Sequence, residues 1–309
     1  MSIWETQGKD EYFEHYRTSE HSKDLRKWVD DAYSKLGQFL DKDWVDNLRN
    51  ADFYGRLWEL EIAEWLMLTG LNMIPTNGVG FDFCVELSDD SKVWIEAVYS
   101  YPDEELREIQ KEALASNGAV RNTPREQVAL RFSSSLFHKA NKVKEKYLKY
   151  IAEKDLTLIA VSSFGPDAGM WKTRDIFQLA ILPINNQLVH FSRDGKPLDP
   201  NTPLPSHEVK NQMKKATGAL VRKEFLYPGT EFPHIDAVMF SEASNLQQLL
   251  GVFSSSFNED TNKPHIYQNY SGKRIPEEFT QYFFYHEWSD NPPMASMDMV
   301  EPKIKVGST

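Results

Sequence analysis

Two short apolar runs of period two, separated by a polar break, restrict the fold more than anything else in the chain. In the first, Phe81, Phe83, Val85 and Leu87 alternate with Asp82, Cys84 and Glu86; in the second, Val93, Ile95, Ala97 and Tyr99 alternate with Trp94, Glu96 and Val98. Alternation of this kind puts successive side chains on opposite faces of a strand. The break, Ser88-Asp89-Asp90-Ser91, has turn composition, so a β-hairpin is predicted. For the apolar odd-numbered positions to share a face, the numbers of opposed residues must have an even sum. A loop at 88–90 pairs Leu87 with Ser91, and the same register then sets Asp82 opposite Glu96.

Directly opposed carboxylates repel across a Cβ separation of about 4.5–5.5 Å. Either a cation neutralises the pair or one acid keeps its proton through a raised pKa.

The flanking segments read as helices. Leu25, Trp28, Val29, Ala32, Leu36 and Leu40 recur at helical spacing, and a second pattern runs from Asp52, a candidate N-cap, through Leu57, Trp58, Ile62 and Leu66 to a stop at Gly70. The second is apolar around most of its girth, as in a central buried helix. After a polar loop at 103–124, a long helix is expected over 125–153, with Leu136, Ala140, Val143, Tyr147 and Ile151 as its apolar stripe. Lys139, Lys142, Lys146 and Lys149 form the neighbouring stripe, and Lys139 lies closest to the apolar border. A buried strand is expected at 156–162, then strands at 177–182 and 187–191 about the turn Asn185-Asn186, a proline-rich loop or lid at 195–206, a lysine-bearing helix at 206–219 and a strand at 234–241. Residues 1–22 read as an irregular or weakly helical lead-in, and the tail beyond Pro292 as irregular. The organisation expected is one elaborated α/β domain: a helical lead-in at 1–51, a core at 52–163 and a C-terminal elaboration at 164–309 packed on that core.

Composition sets limits on partners. With 40% hydrophobic residues the chain is too apolar for a disordered protein, and a net charge of -11 argues against a surface coated in basic residues for polyanion binding. Local positive clusters remain, at Lys142 and Lys146 and at Lys210, Lys214 and Lys215, as a groove tracking a phosphate backbone requires. The single cysteine, Cys84, excludes an intramolecular disulfide and a cysteine-based zinc cluster and suits a reducing compartment. No apolar run approaches the roughly 18 residues of a membrane-spanning helix. The opening Met1-Ser2-Ile3-Trp4-Glu5-Thr6 lacks the basic and apolar regions of a signal peptide, so a cytoplasmic location is expected. The Ser133-Ser134-Ser135 run has no accompanying His and Asp arrangement for nucleophilic catalysis, and His234-Ile235-Asp236 reads as a hydrogen-bonded structural pair.

The order of an acid-bearing helix, a strand with Asp82, a strand with Glu96, a lysine-bearing helix and a further strand resembles the PD-(D/E)XK, or restriction-endonuclease-like, nuclease superfamily. Gly80-Phe81-Asp82-Phe83 stands where the family has its Pro-Asp, Glu96-Ala97-Val98 stands for Glu-X-Lys, and Arg56-Leu57-Trp58-Glu59 supplies the helix acid. The resemblance spans residues 52 to about 163 and departs at Phe81, in place of the proline, and at Val98, in place of the lysine. It implies a restriction-endonuclease-like core and a nuclease that uses magnesium or manganese, held by Asp82 and Glu96, with Glu59 as accessory acid. It also implies that Lys139, from the following helix, replaces the missing lysine, with Lys142 as second choice. The expected partner is nucleic acid, DNA rather than RNA. The competing expectation, motivated by Val98 and the acidic surface, is a non-catalytic binding or scaffold module on the same fold.

Overall fold

The computed structural model describes residues 2–76, 80–101, 104, 106, 108, 125–162, 174–181, 184–187, 207–209, 212–214, 220–222, 225–226, 231–241, 264–269 and 272–286. Three helices, α1 (Glu11–Thr18), α2 (Lys23–Leu36) and α3 (Trp44–Asn50), precede the long apolar helix α4 (Phe53–Leu68). Strands β1 (Asn72–Ile74), β2 (Phe83–Glu86) and β3 (Lys92–Tyr99) follow, then α5 (Arg125–Lys142) and β4 (Leu156–Ser162). Beyond these lie α6 (Arg174–Ile181), β5 (Ile184–Gln187), β6 (His207–Val209), β7 (Gln212–Lys214), β8 (Leu220–Arg222), β9 (Ala237–Phe240), β10 (His265–Gln268), α7 (Glu277–Thr280) and β11 (Phe284–His286).

The chain is an α/β protein built on a seven-stranded mixed sheet of order β1-β2-β3-β4-β9-β10-β11. β1, β2 and β3 form an antiparallel meander; β4 returns through α5 to lie parallel to β3, and β9 lies parallel to β4. From Phe83 onward the hairpin register is the one the alternation demands: Phe83 opposes Ile95, Cys84 opposes Trp94 and Val85 opposes Val93; the pairing stops one residue short of Asp82, and Phe81 packs with the even-numbered face instead of the odd-numbered one expected for it. Asp90 closes the loop at φ 61°, a left-handed conformation that Asp tolerates, and Leu87 N–H donates to Ser91 O at 2.9 Å.

Both faces of this sheet are covered. The odd-numbered hairpin residues Phe83, Val85, Val93 and Ile95 join Leu57, Trp58 and Leu66 of α4 in one core, to which the N-terminal helices also contribute. The even-numbered Cys84 and Trp94 join Phe132, Leu136, Ala140 and Val143 in a second. β4, in the middle, is buried along its whole length, as a strand covered on both sides must be. Trp58 Nε1 donates to Ala160 O at 3.1 Å and so ties α4 to the sheet centre.

Four expectations need correction. Of the two readings of the lead-in, residues 2–22 take the helical one and are not irregular: Asp10 caps α1 by accepting from Tyr12 N and Phe13 N, and Trp4 stacks on Phe13 at 4.9 Å. The strand expected at 177–182 is helical at its described residues, because Ile176, Phe177, Ala180 and Ile181 repeat at helical spacing and pack on α5. Asn185-Asn186 is not a turn between strands but lies inside β5, at a register irregularity; residues 188–191 lie outside the described residues. At its described residues the lysine-bearing helix expected at 206–219 is replaced by β6 and β7, which take backbone partners from the distant β5 and the adjacent β8, so strand pairing overrides helical spacing. The 195–206 lid and the tail beyond Pro292 lie outside the described residues, as does most of 103–124, where Glu104, Leu106 and Glu108 are helical.

Candidate functional site

Asp82 enters from the residue before β2, and its position is fixed across the hairpin: Oδ2 accepts from Ala97 N at 2.6 Å. Glu96 sits mid-strand on the face covered by α5 and has no exposed surface. Its Oε1 accepts from both Lys139 Nζ at 2.7 Å and Lys142 Nζ at 2.6 Å. The two lysines are three residues apart on α5 and so project on one face, beside the buried Leu136 and Ala140. Glu96 Oε2 is buried and has no hydrogen-bond partner among the described residues.

The electrostatics divide the two acids. Burial, then the charge of Glu96, pushes the Asp82 carboxyl up to about 7, against the pull of Lys139, the Ala97 amide and Lys142. Lys142 is drawn down by burial, but the Glu96 charge and hydrogen bond outweigh this and, with contributions from Tyr147 and Asp82, hold its pKa above the ordinary range. The pair that repels in the bare hairpin is therefore handled twice: two ammonium groups neutralise Glu96, and Asp82 retains its proton to higher pH.

Glu59, on α4, is 6% exposed, with Oε2 accepting from Arg56 Nη1 at 2.8 Å. Burial, then the charge of Asp82, raises its pKa well above the usual carboxylate value, opposed by Arg56. Arg56 is the residue of this group that the sequence reading passed over. Its spacing of three to Glu59 and four to Asp52 is the helical ion-pair signal, and its Nη2 also lies 3.5 Å from Asp52. Asp52 caps α4 through Gly55 N and accepts the Tyr101 hydroxyl at 2.7 Å, which fixes the acid-bearing turn against the chain leaving β3. Glu61, on the same helix, is 1% exposed.

The structure thus brings Asp82, Glu96, Lys139 and Lys142 together, with Glu59 close enough to feel the charge of Asp82. Lys146 is exposed one turn further along. Lys210 and Lys215 lie outside the described residues, and Lys214 is placed only by its backbone in β7. Val98 packs with the core beneath α5, which leaves the sheet position of the missing lysine apolar. Burial pushes the Cys84 thiol up to about 12, so it serves as core. Ser133 donates to Ala180 O at 2.9 Å and Ser135 bonds Ser100 at 3.0 Å. Asp236 accepts from Thr157 N at 2.8 Å and Lys273 N at 2.6 Å, and His234 bonds Ala140 O at 3.0 Å, so all four are structural groups.

Among the described residues, no three His, Cys, Asp or Glu side chains converge as a group ready to hold a metal, and no helix is long and apolar enough to cross a membrane. The chain matches no family model, no curated protein and no solved structure.

Proposed function

We propose that the protein is a divalent-metal-dependent nuclease with a restriction-endonuclease-like core, hydrolysing phosphodiester bonds of nucleic acid, with DNA favoured over RNA. The observation that carries this reading is the meeting of two helix-borne lysines on Glu96, beside an Asp82 whose carboxyl is bonded to Ala97 N, in a chain whose strand has Val98 where the resembled pattern has lysine. Asp82 and Glu96 would hold a magnesium or manganese ion, with Glu59 as accessory acid. The fit rests on the buried, unpartnered Glu96 Oε2 and on the raised pKa of Asp82, which a neighbouring cation would relieve. The chemistry such an ion supplies is charge that acidifies a nearby water and offsets the negative charge growing on the phosphoryl group. Lys139 orients that water through its ammonium hydrogens and stabilises the added negative charge. The exposed Lys146 continues the positive face along which a phosphate backbone runs.

One observation favours the alternative, a non-catalytic module: the lysines already satisfy Glu96 Oε1 without a metal. Calorimetric titration of manganese into the wild type, Asp82→Ala and Glu96→Ala, with plasmid and single-strand cleavage on the same samples, separates the two. Saturable binding and cleavage, both lost in both folded variants, is the expected result. A folded wild type without saturable metal binding sinks the nuclease reading and leaves a hairpin neutralised by lysines alone.

A further inference from the structure

We infer that Tyr147 is a positioning residue that holds Lys142 on Glu96, so that the site carries two fixed ammonium groups rather than one. The α-helix of α5 ends at Lys142 and passes into a single π turn, Val143–Tyr147, in which Leu148 N–H bonds Val143 O. In an uninterrupted α-helix, residues five apart are rotated by about 140° and face different ways. The wider π turn brings Tyr147 back into line with Lys142. The Lys142 ammonium accordingly lies 5.1 Å from the centre of the Tyr147 ring, a cation–π contact.

The Tyr147 ring is also held by the hairpin. Gly80 has a φ of 98°, and a Cβ added there would collide with Tyr147 Cε1, so the backbone leading into Asp82 passes directly against the ring. Phe81 packs on the same ring at 5.0 Å. Tyr147 therefore touches both the lysine and the segment that delivers Asp82, and it ties the position of one to the other. Lys142 is also the more exposed of the two lysines, its side chain 30% accessible against 19% for Lys139. That makes it the ammonium an incoming phosphate meets first, a role that rests on the nuclease reading, whereas the hold itself does not.

The test is competitive acetylation of the metal-free full chain with acetic anhydride, with Lys139 and Lys142 quantified separately by mass spectrometry. In Tyr147→Leu, Lys142 labelling should rise by roughly 2- to 30-fold, the range set by the strength of an ammonium–ring contact, while Lys139 changes little. Tyr147→Phe, which keeps the ring and loses only the hydroxyl's hydrogen bond to Lys142, should restore part of the protection. Where Tyr147→Leu does not fold, Tyr147→Met is read in its place. Unchanged Lys142 labelling in a folded variant without the ring overturns the inference, as does an equal rise at both lysines. Selective exposure of Lys142 in a protein that shows no metal-dependent cleavage upholds the hold and defeats the nuclease reading alone.

Discussion

Replacing Asp82 with asparagine should stabilise the metal-free protein at pH 8 and do little at pH 4.5. The Asp82 carboxyl has a pKa of about 7 in the fold against 3.8 for the unperturbed group. The folded form therefore holds its proton to higher pH than the unfolded chain does. Between about pH 4 and pH 7 the folded state binds more protons, so stability falls as pH rises through that window and levels off above it. Three units at 1.36 kcal/mol each set a ceiling of roughly 4 kcal/mol on the cost of ionising Asp82 in place. Water reaches part of this side chain and screens it, so the expected gain of Asp82→Asn at pH 8 is about 1–3 kcal/mol. Part of that gain comes from Glu59, whose raised pKa owes its second-largest contribution to the Asp82 charge. The amide oxygen keeps an acceptor for the Ala97 N–H, so the cross-hairpin bond survives. Urea denaturation of both proteins at pH 4.5, 6, 7 and 8, in chelator, measures the difference. A gain independent of pH, or a variant less stable at pH 8, refutes the argument that desolvation and Glu96 strain Asp82. Added manganese should narrow the gap from the wild-type side if the acids hold a cation.

The lysine pair should behave as a unit. Lys139→Met and Lys142→Met each leave one ammonium on Glu96, whereas the double variant leaves a fully buried, unpaired carboxylate; its loss of stability at pH 7 should exceed the sum of the single losses by about 1–3 kcal/mol, and strict additivity in urea melts would contradict the shared contact. Asp155 is 4% exposed and accepts from Lys92 N at 3.1 Å, Trp94 Nε1 at 3.0 Å and Ala152 N at 3.0 Å. Asp155→Ala strands these donors at the junction of β3 and β4, and urea melts should show a loss of about 2–4 kcal/mol.

What the sequence disclosed and what it hid follow from how local each signal is. The hairpin register is legible because alternation and loop length together allow one pairing, and Lys139 is legible because a helical wheel fixes its place at the edge of the apolar stripe. The second buried face is harder to read, since an alternating hairpin with acids on its even positions looks one-sided. Cys84, Trp94 and Val98 on those same even positions are the missed sign that a helix covers them. Tyr147 reads as ordinary core, because nothing in the sequence marks the π turn that rotates it toward Lys142. The helix at 174–181 was lost because Phe177, Leu179 and Ile181 also alternate; only the partner face on α5 decides between the two periods. In β6 the deciding hydrogen bonds come from β5, well outside the window, and in β7 from β8, which lies just past its end.

The absence of a lysine at Val98 has a structural consequence that bears on the chemistry. A strand lysine at that position would share the face of Glu96 two residues away and would displace apolar packing beneath α5. Carrying the positive charge on α5 instead brings it to Glu96 from the covering side and leaves Val98 free to seal the sheet. The four groups at the hairpin are then formally neutral when Asp82 is ionised and singly positive when it is protonated, in a protein whose net charge is -11. An anion that is repelled by the net charge of the whole chain would meet no net negative charge at these four groups, which is the electrostatic condition the proposed function needs at Lys142.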